Sequence, residues 1–319
     1  MPAAAWHRLR EWLERFQRPR APEPLPVRVD RRRIYVLPTR FGLFYTLLVL
    51  AMVLGALNYN NNPALLLALL LGAAGLASLI TAHLQLSGLQ VDALSAEPVP
   101  AGAALWLRVA LSAQDGRQRR GLRGELGAAS GWAGIGADGH GELALSLPTH
   151  RRGWLEPGRL RLSTTQPLGL ARAWSLAWPQ QPLLVYPRAE AHPPPLPDRG
   201  DDARLTRVHP QGEDPHQLRA YRAGDAPRTI AWKHSARRDS LVVREYERAL
   251  QQDVLLDWNA LRALPYETRI SRLAAWVDLA EREGRRYRLR LPGQPQLGPG
   301  RGLEHHHACL RALALLPDA

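Results

Sequence analysis

FGLFYTLLVLAMVLGAL (residues 41–57), NYNNNP (58–63) and ALLLALLLGAAGLASLITA (64–82) follow one another without a single charged residue. Crossing a hydrocarbon core of about 30 Å takes roughly 20 apolar residues in a helix, and each apolar run comes close to that length. The polar turn between them carries Pro63 where a second helix would start. The pair predicts a transmembrane hairpin over 41–82, with two buried core helices as the alternative. Phe41, Phe44, Tyr45 and Tyr59 stand near the ends of the runs, as an interfacial aromatic belt would.

Upstream, Arg31, Arg32, Arg33 and Arg40 lie close to the first run, with Arg18, Arg20 and Arg28 further out, while the Asn-rich turn has no charge. The excess of arginine before the first span predicts that both ends of the hairpin face the cytoplasm and that 1–40 is a basic cytoplasmic segment. About 40 mostly polar residues before the first run argue against a cleaved signal peptide. Trp6, Leu9, Leu13 and Phe16 share one helical face. They suit either a short helix lying on the inner leaflet or an amphipathic helix packed on the protein. The formal net charge is +13 with a pI near 10.9. That charge is spread over all regions and accompanied by no nucleic-acid motif, so no nucleic-acid partner is expected. With Cys309 as the single cysteine, no disulfide framework can form within one chain.

Downstream, short apolar runs at 88–95, 105–111, 121–126, 143–147, 160–164 and 183–186 alternate with Gly, Pro and Asp turns. This spacing predicts a β-sandwich-like domain over 86–187, with the Gly-rich 128–141 as loop. No GxGxxG or GxxxxGK[ST] follows a strand, so a phosphate cradle is not expected. HPPPLP (192–197) and the charged residues after it predict a stiff linker over 188–202.

Residues 203–319 alternate again: strands at 241–243 and 254–256, a helix at 267–283, a strand at 288–291 and a helix at 303–316. That order predicts a sheet flanked by helices. Asp257 ends one strand, where ligands of such sheets gather. His305, His306, His307 and Cys309 have the residue types of a metal cluster, but zinc needs three or four converging ligands and no partners lie nearby in sequence.

The densest stretch is RAYRAGDAPRTIAWKHSAR (219–237). It contains Lys233, the only lysine among 42 basic residues. An ammonium point charge does not replace a guanidinium fork at a constrained site. The pattern R-x-Y-x-x-G-D-x-x-R-x-I-x-W-K-x-S-A-R, continued by LVVREYE (241–247) and DVLLD (253–257), resembles the signature of the domain of unknown function 58 family. The resemblance extends to the hydrophobic pair and the region between, where Arg152-Gly-Trp154 and QPLGL (166–170) look like family landmarks. Gln166 stands where relatives usually carry an acidic residue. The resemblance implies a multi-pass protein of the bacterial inner (plasma) membrane with a von Willebrand factor A-like C-terminal domain, here truncated. Its implied partners are a MoxR-type AAA+ ATPase and a transglutaminase-like membrane protein. In von Willebrand A domains the position of Asp257 opens a D-x-S-x-S magnesium site. Here the chain reads Asp257-Trp-Asn259-Ala-Leu261, and Leu261 cannot coordinate a hard cation. The site looks degenerate and no cofactor is expected.

These readings converge on a membrane-anchored, cytoplasm-facing adaptor or assembly factor without catalytic activity of its own. Arg219, Tyr221, Gly224, Asp225, Arg228, Trp232, Lys233, Ser235 and Arg237 either bind a partner or lock domains together. The competing reading is a hydrolase or transferase using Asp225, Lys233, His234 and Ser235, which requires those side chains to converge in one pocket.

Overall fold

A computed structural model describes residues 21–197, 214–221, 231, 242–247 and 253–317. The segment before the hairpin departs from the expected basic tail. It supplies two strands, β1 (Val27–Arg28) and β2 (Tyr35–Pro38), on either side of a 3₁₀ turn at Arg31–Arg33. Strand β2 runs directly into helix α1 (Arg40–Asn58). Thr39 caps α1, its side chain accepting from the Gly42 amide. The turn residue Asn61 caps α2 (Asn62–Leu86) in the same way through the Ala64 amide, with proline in the first turn. Both helices are long and apolar enough to cross a membrane, and only 11% and 17% of their most apolar stretches are buried. Leu47, Leu54, Leu66 and Leu70 face outward, which is the reverse of a core helix. Between the helices, the Tyr45 hydroxyl donates to the Leu71 carbonyl at 2.8 Å.

Two residues after α2 the chain enters a β-sandwich, with Leu89 already fully buried. Its strands are β3 (Leu89–Ala96), β4 (Val99–Pro100), β5 (Ala104–Ala113), β6 (Arg119–Leu126), β7 (Ala129–Ile135), β8 (His140–Pro148), β9 (Gly153–Leu155), β10 (Leu160–Thr164), β11 (Ala171–Ala177) and β12 (Leu183–Tyr186). One sheet has the order β1-β3-β5-β8, a second β2-β11-β10-β6-β7, and a small third β4-β12-β9. Period-two alternation explains the layering: Leu105, Leu107, Val109 and Leu111 of β5 are buried while Trp106 and Arg108 point out. They share one core with Leu143 and Leu145 of β8 and with Leu122, Leu160 and Leu162 of the second sheet.

The Gly-rich stretch expected as loop is largely strand β7 with a turn after it. Glycine is there for clearance: a Cβ on Gly131 would sit 2.4 Å from the Ala144 carbonyl oxygen. Small residues let β7 close against β8, a role that looks like loop composition in the sequence. The hairpin opens and closes on this one sandwich, because β2 enters α1 and α2 leads through Gly88 into β3. Both helix ends at Arg40 and Leu86 therefore lie on the same side of the apolar pair.

A second compact unit begins at Tyr186. Residues 186–197, expected as a free linker from 188, pack on this unit instead. Leu196 is buried in its core, the Trp276 indole donates to the Pro194 carbonyl at 2.9 Å, and Glu190 pairs with Arg272. A proline run lacks N–H donors but keeps its carbonyls, so an extended strand of this kind can still be tied down by donors from a helix. The unit's elements are β13 (Asp214–Ala220), β14 (Val242–Glu247), β15 (Val254–Asp257), α3 (Tyr266–Arg282), β16 (Tyr287–Arg290), β17 (Leu297–Gly300) and α4 (Leu303–Ala314). Strands β15 and β16 pair in parallel across the α3 crossover, as the expected sheet-and-helix order requires. Strand β17, absent from the sequence reading, adds antiparallel to β16. The core gathers Leu256, Trp258, Ile270, Leu273, Val277, Leu289, Cys309 and Leu313. The amphipathic helix expected near Trp6, whether on the inner leaflet or packed on the protein, lies outside the described residues.

Candidate functional site

A set of polar contacts joins the hairpin to the sandwich. At the start of α1, the Thr39 amide donates to the Leu170 carbonyl at 2.9 Å. The Thr39 hydroxyl donates to the Gly169 carbonyl at 2.6 Å while accepting from the Gly42 amide at 3.0 Å. One side chain thus closes the helix and fastens it to the turn before β11. A Cβ on Gly42 would lie 1.8 Å from the Leu170 carbonyl oxygen, so the helix backbone and the turn touch directly. This turn is the QPLGL segment picked out in the sequence. Its Gln166 packs over Gly121, where an added Cβ would meet the Gln166 Cγ at 3.0 Å, and Leu168 at its outside is 52% exposed.

At the other end of the hairpin, Arg119 closes α2. Its side chain is 1% exposed. One terminal nitrogen donates to the Leu84 and Gln85 carbonyls at 3.2 and 2.7 Å, the other to the Ser87 carbonyl at 3.0 Å and to Asp115 at 2.8 Å. The last carbonyls of a helix have no partner within it, and the dipole places negative charge there. A guanidinium fork meets both needs at once. Burial lowers the Arg119 pKa, and the neighbouring Asp115 carboxylate opposes that shift. Arginine remains charged regardless. Sequence reasoning passed over Arg119, one of several arginines in a charged run, because burial leaves no mark in composition. Thr39 had a readable signal, a hydroxyl residue just before an apolar helix.

In the second unit, Asp257 is already engaged. One carboxylate oxygen accepts from the Asn259 amide at 3.0 Å and the other faces Arg290 at 3.4 Å. Asn259 in turn accepts from Arg262 at 3.1 Å, and Leu261 is buried in the core. A turn cap beside a guanidinium, with leucine in the third position, does not fit a magnesium donor set. Nor do the three histidines of α4 converge. His305 meets the Tyr287 carbonyl at 3.1 Å, His306 meets Asp278 at 2.8 Å, and His307 bonds to the Tyr186 hydroxyl. Among the described residues no group of three His, Cys, Asp or Glu side chains could hold a metal ion.

Of the signature residues, Arg219 lies in β13 opposite Val243 of β14, and Tyr221 follows that strand with its side chain partly exposed. Ala231, inside the signature, is buried. Gly224, Asp225, Arg228, Trp232, Lys233, His234, Ser235 and Arg237 lie outside the described residues, so the choice between binding site, domain lock and catalytic pocket rests on their chemistry alone.

No curated protein and no solved structure matches the chain. A family match does exist, and it covers the second unit from β13 to α4 without reaching the hairpin or the sandwich. Residues 217–315, signature included, match the model of the family described as Protein of unknown function DUF58.

Proposed function

We propose that the protein is a membrane-anchored adaptor or assembly factor that presents its soluble units to the cytoplasm and has no catalytic activity of its own. The observation that carries this reading is the joint at Thr39 and Arg119. A flexible tether needs no such joint, whereas a platform held at a fixed pose over the bilayer does. The return of both hairpin ends to one sandwich supports termini on the same side of the membrane, and the arginines before Arg40 favour the cytoplasmic side. A MoxR-type AAA+ ATPase as partner, with a transglutaminase-like membrane protein as a further one, follows from the family resemblance, as does a von Willebrand A-like second unit. The parallel β15–α3–β16 crossover is compatible with the latter. In this reading the signature, with Lys233 at its centre, is the surface that meets the partner.

Two measurements test it. A reporter active only outside the cytoplasm should be active when inserted at Asn61 and silent when fused after Ala319; the reverse pattern overturns the proposal. Crosslinking from membranes should recover an AAA+ ATPase with the wild-type chain. The yield should drop about tenfold with Lys233→Arg at unchanged membrane levels, because a fork replaces a point charge. Recovery undiminished by that variant would remove Lys233 from the contact.

A further inference from the structure

Helix α2 has 25 residues and α1 has 19, so α2 is about 9 Å the longer at 1.5 Å per residue. The 19 residues of α1 already match a hydrocarbon core of about 30 Å. The last turns of α2 consequently stand level with Arg40 and beyond, where lipid headgroups begin. At that height the protein has an apolar groove of about 290 Å³, lined by Val36 of β2 and by Leu79, Ile80, His83 and Leu84 of α2. Ile80 in its wall is 54% exposed. Leucine and isoleucine facing headgroups and water are costly unless covered, and the imidazole of His83 has no partner among the described residues.

The surrounding charge selects what covers them. Arg31 and Arg32, five and four residues ahead of Val36 on the same stretch of chain, are exposed. Arg40 is exposed too, and no ion pair among the described residues holds any of the three. Arg40 also occupies the first position of α1, a helix with no acidic residue in its first turn. A cation there opposes the helix dipole. It gains its compensation from an anionic layer outside the protein.

We propose that this groove seats one acyl chain of an anionic phospholipid from the surrounding bilayer, with the lipid phosphate turned toward His83, Arg31 and Arg32. The proposal rests on the membrane-spanning reading above. The lipid would fill the wedge between β2 and α2 and so complete the joint on the side that neither Thr39 nor Arg119 covers.

The full chain, purified in mild detergent, is titrated with phosphatidylglycerol or with phosphatidylcholine of the same acyl chains and followed by native mass spectrometry. The expected result is one retained phosphatidylglycerol per chain, preferred over phosphatidylcholine by roughly tenfold. Ile80→Trp, which fills the groove, should remove the adduct. The surface double variant Arg31→Gln/Arg32→Gln, which leaves the core untouched, should bring the two lipids to equal retention. Equal retention by the wild-type chain, or a phosphatidylglycerol adduct that survives both variants, overturns the proposal. Alkaline carbonate extraction of membranes, run alongside, separates the two levels of the argument. Release of the wild-type chain would overturn the spanning reading and the lipid site with it, whereas a retained chain without an adduct overturns the lipid site alone.

Discussion

Glu281 shows how much a single side chain organises in the second unit. Both its carboxylate oxygens accept from the Gly302 amide at the start of α4, at 2.9 and 3.1 Å, and one also accepts from the Tyr287 hydroxyl at 3.3 Å. Cys309 is fully buried about two turns further on. Burial, with the Glu281 charge adding to it, pushes the Cys309 thiol up to about 12. Because the folded value lies above the ordinary thiol value, the neutral thiol contributes stability that is complete below pH 9.0 and is lost as pH rises toward about 12. Iodoacetamide at pH 8 should therefore leave the folded chain unlabelled by mass spectrometry and label it once in denaturant. Rapid labelling of the native chain would mean that α4 is not seated as described. Residue-scale features of this kind were only half legible. That Leu261 breaks a metal pattern could be read directly, because an aliphatic side chain has no donor in any fold. That the histidines of α4 diverge could not be read, since their partners Tyr186, Asp278 and Tyr287 come from distant parts of the chain.

Among the elements, the two helices of the hairpin were the clearest in the sequence, since hydropathy needs no tertiary partner to show itself. Strand β7 and the packed proline segment were obscured for the opposite reason, because glycine clearance and carbonyl acceptance depend on what lies across from them. The same distinction separates two glycines within α1. Gly42 is pressed against the Leu170 backbone, while an added Cβ on Gly55 meets nothing within 4 Å. Gly55→Ala should be neutral or raise stability by up to about 1 kcal/mol through helix propensity. Gly42→Ala should lower it by about 3 kcal/mol or more, because backbone cannot yield as a side-chain tip can. Thermal unfolding of the full chain in detergent reads both. Equal melting of the two variants would show that α1 does not rest on the 165–170 turn.

For the whole molecule, the sandwich is divided in sequence by the apolar helical hairpin. Val27 and Arg28 pair with Val91 and Gln90, and Tyr35 pairs with Trp174, so two edge positions are filled from upstream of the hairpin. A protein beginning at residue 87 would bare the edges of β3 and β11 and should aggregate. Joining 21–38 to 88–185 through roughly ten Gly/Ser residues should restore a soluble monomer. Size-exclusion chromatography distinguishes them, and monomeric behaviour of the shorter protein would show the upstream strands to be dispensable. No composition statistic announced this arrangement, because a strand of two or four residues has too little length to show a period. It also sets a timetable for synthesis. β1 and β2 leave the ribosome first and wait unpaired; β3 arrives only after the 42 uncharged residues 41–82 have been made, and β11 later still. On the membrane-spanning reading proposed above, the sandwich closes only over a hairpin already made, so a chain that misses insertion would also be a chain with an unfinished sandwich, open to quality-control proteases.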